Sequence, residues 1–229
     1  MAKKVSFSVV IPCFNEELGV EKTVMDVLTH VKGNYEVIVV DDGSRDNTFN
    51  LASKIAREHS NVLVLKHDVN KGKRFAIDTG TNAASSDIIV HIDGDYTYPA
   101  EFINPLIKEF NKGFDMVYGS RFLGHKINMT FTHKLGNKMF SWLFSLLLFK
   151  KITDLTSGLR VLDRKKYFDL HIDSNNFGLE TELMVKAVRK HWKFEEFPIS
   201  LRAREGKEKL KTVQDGFRIL FTLIKYRLF

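Results

Sequence analysis

The chain has 229 residues, 44% of them hydrophobic, and a single cysteine, Cys13, which excludes an internal disulfide framework and favours a reducing compartment. That length suits one large domain or a domain with an extension, with enough chain to bury a sizeable core. The formal charge is +7, but residues 1–185 hold 23 Lys/Arg and 23 Asp/Glu, whereas residues 186–229 hold 12 against 5, so the whole excess lies in the last 44 residues. A basic tail of this kind suits a solvated face, a nucleic acid or an anionic membrane surface.

The first 120 residues alternate short β-rich runs with helical stretches. VSFSVVIP (5–12) reads as a strand and GVEKTVMDVLTHVK (19–32) has helical spacing. YEVIVVDD (35–42) is a strand and NTFNLASKIAREH (47–59) a helix; VLVLKH (62–67) is a strand and RFAIDTGTNAA (74–84) a helix. DIIVHID (87–93) is the fourth strand, 99–111 a helix and DMVYGS (115–120) the fifth strand; GLRVLD (158–163) reads as a later one. The strands are continuous apolar runs, as expected when both faces are covered. Strand–helix alternation at this spacing predicts βαβ units in a doubly wound, mostly parallel α/β sheet.

Such sheets bind ligands at the carboxyl ends of their strands. Three of those ends carry informative residues: Pro12-Cys13-Phe14-Asn15-Glu16-Glu17, Asp41-Asp42-Gly43-Ser44 and Asp93-Gly94-Asp95. Acid therefore gathers on one edge of a chain that is basic as a whole. Two carboxylates on either side of a glycine can bend around one hard cation, and Mg2+ or Mn2+ takes such oxygen ligands together with water and substrate phosphates. The bland readings are local. Asp46 or Ser44 caps the helix that follows, and Asp154 forms a turn before GLRVLD. Glu180 and Glu182 open a helix and favour its positive end. Lys71-Gly72-Lys73 resembles part of a phosphate loop but lacks the Walker pattern. The eight histidines show no metal-type cluster.

VVIPCFNEE, VIVVDDGSRDNT, HIDGDYTYPAE, VYGSRF, DLTSGLR and RAREGKEKLKTVQDGFRIL together resemble the family 2 glycosyltransferases, in the dolichyl-phosphate (polyprenyl-phosphate) sugar synthase group, over almost the entire chain. The resemblance implies a GT-A (Rossmann-like) nucleotide-sugar transferase fold and an inverting, metal-dependent transfer of mannose or glucose from a GDP- or UDP-linked donor to dolichyl or polyprenyl phosphate. It implies that Pro12, Phe14 and Glu16 wall the base and ribose, with Val39 and Asp41 completing that pocket. Asp93 would lie near the ribose and metal, Gly94 would let the backbone approach the diphosphate, and Asp95 would be the principal ligand of Mg2+ or Mn2+. Arg121 would face the donor or acceptor phosphate, with His133, Lys134 and Ser157 on the acceptor side. Asp154, Ser157 and Gly158 would form the loop under the transferred sugar. Arg204, Gly206, Lys209 and Leu210 match a motif that would close over the phosphates. The sequence departs from the family pattern at Thr97 (often glutamine), Leu159 (phenylalanine), Glu208 (serine) and His133-Lys134 (often arginine). An acceptor phosphate monoester has a second pKa of about 6 and is already a nucleophile near neutral pH, so the protein's work is alignment and stabilisation of the leaving diphosphate.

A polyprenyl phosphate lies in a bilayer, and two segments offer contact with it. MFSWLFSLLLF (139–149) has 11 residues without a charge, short of the roughly 20 a spanning helix needs, and is flanked by Lys138, Lys150 and Lys151. Residues 211–229 place Asp215, Arg218, Thr222 and Lys225 on one narrow polar stripe of an otherwise apolar helix. The expected organisation is thus a catalytic domain over 1–210 and an amphipathic helix over 211–229 that meets a membrane interface or an oligomer partner. A homo-oligomer or a separate membrane-anchor subunit is a further expected partner. With no secretory leader visible before the first strand, the expected location is peripheral, on the cytoplasmic face of a membrane. Two alternatives stand beside this: a family 2 enzyme acting on a soluble glycan or protein acceptor, and a non-catalytic nucleic-acid-binding module suggested by the basic tail alone. Acid at the sheet edge, with no aromatic–basic RNA motif, speaks against nucleic acid.

Overall fold

The structure is a computed structural model that describes residues 6–124, 131–174 and 178–203, without the side chains of residues 131–134, 137, 147 and 148. The five strands expected over the first 120 residues all form: β1 (Phe7–Cys13), β2 (Tyr35–Asp41), β3 (Val62–Lys66), β4 (Ile88–His91) and β5 (Met116–Ser120). Between them run α1 (Val20–His30), α2 (Thr48–Glu58), α3 (Lys73–Ala83) and α4 (Ile103–Phe110), the last preceded by a 3-10 turn over Ala100–Phe102. The rest comprises α5 (Phe131–Leu148), β6 (Arg160–Asp163), α6 (Arg164–Asp169), α7 (Gly178–Arg189) and β7 (Phe194–Pro198).

One seven-stranded sheet has the order β3-β2-β1-β4-β6-β5-β7. β1 pairs in parallel with both β2 and β4, so the chain reverses its winding direction at β1. The sheet is mixed because β6 enters antiparallel between β4 and β5. Its short apolar run is readable in the sequence; its direction and its place between two earlier strands are not. β7 was not expected. Its FEEFP pattern is half exposed and carries two glutamates, and it forms as the edge strand parallel to β5.

Apolar clusters fill both faces of the sheet, which explains why β1, β2 and β4 read as unbroken Val/Ile runs. Val24, Val27, Ala52, Ile55 and Leu106 from α1, α2 and α4 cover one face. Ala76, Ile77, Phe144, Tyr167 and Leu183 from α3, α5, α6 and α7 cover the other.

Candidate active site

The carboxyl ends of β1, β2 and β4 lie side by side, at the winding reversal where open α/β sheets hold ligands. The loops after β1 and β2 are stitched together there. Asn15, in the left-handed region at φ 50°, donates from its amide to Ser44 Oγ at 2.9 Å and accepts from the Arg45 amide at 2.8 Å. The Glu16 amide donates to Thr48 Oγ1 at 2.8 Å. Asp46, not Ser44, serves the start of α2, its Oδ1 accepting from the Thr48 amide at 3.1 Å.

The two aspartates ending β2 have different work. Asp42 accepts from the Lys71 and Gly72 amides at 3.0 and 2.7 Å and lies 2.7 Å from His67 Nδ1, so it shapes the turn into α3. Asp41 is completely buried; its Oδ1 accepts from the Ser44 amide at 3.3 Å, and its Oδ2 has no hydrogen-bond partner. Pro12, Phe14 and Glu16 are half-buried along the same edge. Val39 sits two residues back from Asp41 on the same face of β2, buried in the core cluster with Val9 and Ile11 rather than at the edge.

After β4, Asp93 lies 2.8 Å from Lys73 Nζ in the first turn of α3. The same ammonium is 2.8 Å from Glu180 Oε1 of α7, which Arg160 Nη2 of β6 also approaches at 3.4 Å. Desolvation pulls the Lys73 pKa down, but the Asp93 and Glu180 carboxylates outweigh it and hold the ammonium above the ordinary lysine range. His91 beneath them is held well below the usual imidazole range by burial and by Arg160 and Lys73, so it is neutral. Glycines set the close approaches. A Cβ on Gly158 would lie 2.1 Å from Asp93 Oδ2, and one on Gly94 would lie 2.4 Å from Cys13 Sγ. Gly94 therefore lets β4's end pack on β1. A Cβ on Gly19, at the start of α1, would lie 2.8 Å from Asp95 Cα. Asp95 is buried, and its Oδ1 accepts from the Thr97 amide at 3.0 Å.

Because β6 runs antiparallel to β4, its beginning meets the end of β4, and this brings residues 153–158 to the edge. Asp154 is fully buried and forms a fork with Arg121, which follows β5: Nε to Oδ2 at 2.6 Å, Nη2 to Oδ1 at 2.5 Å, and the Arg121 amide to Oδ2 at 2.9 Å. Arg121 Nη2 also donates to Thr156 Oγ1 at 2.7 Å. The guanidinium expected to face a phosphate is thus turned onto Asp154. Glu196 of β7 accepts from the Thr153 amide at 2.9 Å and the Asp154 amide at 3.0 Å, fixing the loop from below. Ser157 is buried beside Gly158, whose amide donates to Tyr98 Oη at 2.7 Å.

The edge thus unites Asp41, Asp93, Asp95, Arg121, Asp154, Ser157 and Gly158 from four distant stretches of chain. Arg204, Gly206, Lys209 and Leu210, the helix expected over 211–229, and the side chains of His133 and Lys134 lie outside the described residues. Lys73, Glu180, Arg160 and Glu196 join the edge without having been assigned to it. The Lys71-Gly72-Lys73 run signalled the first of these, and Glu180 was read as a helix opener; for Arg160 and Glu196 no local pattern pointed to the edge.

Among the described residues no group of three or more His, Cys, Asp or Glu side chains forms a complete metal cage. A hard divalent cation held by one or two carboxylates and a substrate diphosphate needs no such cage, and the oxygen donors of Asp93 and Asp95 on one short segment fit that mode.

The glycosyl transferase family 2 model matches residues 8–170. The chain is 32% identical over 227 residues to the dolichol-phosphate mannosyltransferase of Pyrococcus furiosus, covering 96% of this chain but 64% of that protein. It is 29% identical over 218 residues to the dolichyl-phosphate hexose transferase of Haloferax volcanii, covering 95% and 92%. Its fold is similar to that of glucosyl-3-phosphoglycerate synthase from Mycobacterium tuberculosis, solved with Mn2+, uridine diphosphate and glucosyl-3-phosphoglycerate, with a TM-score of 0.77 at 21% identity over 97% of this chain and 80% of that one. The family match runs from β1 through α6, the stretch that builds most of this edge, and on that ground the chain belongs to glycosyl transferase family 2, with the GT-A fold.

Proposed function

We propose that this enzyme moves a hexose, mannose or glucose, from a GDP- or UDP-linked donor to a polyprenyl phosphate of the dolichyl type, with inversion. An acceptor phosphate oxygen forms the new bond to the anomeric carbon as the bond to the donor diphosphate breaks, and the nucleoside diphosphate leaves. Asp41 takes a hydrogen-bond donor from the base. Asp93, with Lys73 behind it, orients the ribose side of the donor, and Asp95 is the chain's main ligand for Mg2+ or Mn2+. The cation, when bound, neutralises charge that develops on the leaving diphosphate. Asp154 and Ser157 line the sugar and acceptor side, and the Arg121 guanidinium supplies positive charge there. Arg204 and Lys209 remain assigned to the phosphates, and His133 and Lys134 to the acceptor.

The observation that carries a lipid acceptor is helix α5. Its inner face holds the Asp154 loop: Ser141 Oγ accepts from the Leu155 amide at 3.1 Å and Ser145 Oγ from the Ile152 amide at 2.9 Å, beside the fully buried Phe144. Its outer face exposes Leu135, Met139, Trp142 and Leu146, and Phe149 just beyond the helix is exposed as well. Steps of four, three and four residues place Leu135, Met139, Trp142 and Leu146 on one helical stripe about 17 Å long, and exposed Phe149 follows the helix end. Exposed Lys138, Lys150 and Lys151 flank it, as an anionic lipid surface requires. No described helix is long and apolar enough to cross a membrane, so contact is by lying on the interface. A peripheral position on the cytoplasmic face fits this reading. The names of the Pyrococcus and Haloferax relatives point to the same acceptor class.

The test incubates the enzyme and Mn2+ or Mg2+ with a panel of labelled GDP- and UDP-hexoses, offering polyprenyl phosphate in vesicles, a short soluble alkyl phosphate or a soluble glycan. Label in the polyprenyl product supports the proposal. Transfer confined to the soluble glycan overturns the acceptor while leaving the family intact.

A further inference from the structure

We infer that Arg202, outside the matched family segment and without contact to the proposed reacting groups, is a positioning residue for Asp95. This rests on the reading of Asp95 as the cation's ligand. The loop after Asp95 is held in an unfavourable shape: Tyr96 has φ 63°, the left-handed region that a bulky side chain rarely adopts. Such a conformation persists only where its surroundings over-determine it.

Three tethers do so. From α1, Thr23 Oγ1 accepts from the Tyr96 amide at 2.9 Å, and Asp26 Oδ2 accepts from the Ala100 amide at 2.7 Å. The third comes from the strap after β7. The Arg202 amide donates to the Thr97 carbonyl at 3.0 Å, and its guanidinium lies over the Tyr96 ring, 4.4 Å from the centroid. That guanidinium also forks onto buried Asp26, Nη1 to Oδ2 at 2.6 Å and Nη2 to Oδ1 at 2.9 Å. Thr97 is the pivot: its amide donates to Asp95 Oδ1 while its carbonyl is held by Arg202.

The strap is pinned at its other end as well. The Ile199 amide donates to the Ser120 carbonyl at 3.1 Å, and Ile199 fills the space where a Cβ on Gly119 would sit. It therefore runs from the residue beside Arg121 to the residues beside Asp95. Lysine cannot replace this arginine in full, because the planar fork and the ring stacking are both in use.

The experiment measures Mn2+ binding to the full-length protein by calorimetry, with uridine or guanosine diphosphate present, for wild type, Arg202→Met, Arg202→Lys and Asp95→Asn. Asp95→Asn is expected to lose binding. Arg202→Met should lower the melting temperature, because buried Asp26 loses its fork, and in protein still folded at the assay temperature it should weaken Mn2+ binding about 10-fold, as loss of an outer support does at metal sites; Arg202→Lys, which keeps a cation on Asp26, should recover part of both. The Mn2+ concentration for half-maximal transfer should rise in step, with KM for the acceptor unchanged. Wild-type Mn2+ affinity in Arg202→Met, alongside loss in Asp95→Asn, overturns the positioning role alone. Retained affinity in Asp95→Asn overturns the metal assignment and the inference with it. Should Arg202→Met not fold, Arg202→Lys decides: weaker binding in protein still folded at the assay temperature supports the clamp, and unchanged binding refutes it.

Discussion

Asp41 shows what a single side chain reveals at this site. A buried carboxylate oxygen without a donor costs about 1–3 kcal/mol, and native proteins keep such groups where a ligand supplies the missing partner. Asp41 Oδ2 is one, at the end of a central strand. Asp41→Asn keeps the shape and the acceptor for the Ser44 amide but turns the orphan oxygen into an NH2 group. KM for the nucleotide sugar should rise about 10- to 100-fold with kcat changed less. The melting temperature should change little, since the substitution is isosteric and keeps the contact with the Ser44 amide. Steady-state kinetics with calorimetry checks both; unchanged donor KM would detach Asp41 from the base.

At the scale of elements, α5 and α7 each do two jobs. The inner serines of α5 hold the Asp154 loop while its outer stripe is more than half exposed, so charge placed on the stripe should affect docking and not folding. Met139→Glu and Trp142→Glu should remove the protein from anionic vesicles in flotation, with stability within about 0.5 kcal/mol of wild type and nucleotide binding intact. Flotation that survives both changes would move the anchor to another segment. In α7, Glu180 faces the site, whereas Glu182 ties the preceding loop, accepting from the Asp173 and Ser174 amides at 3.0 and 2.5 Å and from Lys186 at 2.5 Å. Burial raises the Glu182 pKa, but Lys186 and those amides outweigh it and hold the group below its ordinary 4.5. A carboxylate with a depressed folded-state pKa contributes stability that is complete above the unfolded value and lost as pH falls through the folded one. Glu182→Gln should therefore be less stable than wild type at neutral pH, by about 1–3 kcal/mol, and the gap should close below pH 4.5. Denaturant melts from pH 7 downward through the acid range measure it, and a gap that stays constant down to about pH 2 would refute the assignment.

For the whole molecule, charge and apolar surface act together. The +7 excess lies in the last 44 residues and the stripe is apolar, so vesicle binding has a screened part and an unscreened part. Raising salt from about 0.1 M to about 1 M shortens the Debye length from about 10 to about 3 Å, and binding to anionic vesicles should weaken without vanishing. Complete release at high salt would assign the contact to charge alone.

The sequence by itself determined the first five strands, their helices and the acidic edge. Each strand there is a short apolar run buried on both faces, and a doubly wound sheet brings the ends of such runs to one side. It also singled out Asp41, Asp93, Asp95, Arg121 and Asp154, because their motifs are contiguous. Only the tertiary structure decided that β6 turns back between β4 and β5, which carries Gly158 onto Asp93 and Asp154 into the fork of Arg121. It alone decided that Lys73 meets Glu180, 107 residues away, and that Arg202 reaches Asp26 across 176. Apolar periodicity is a local property and survives in the sequence. The partner of a buried charge is chosen by which other charge the fold brings within about 3 Å, and no spacing along the chain records that choice.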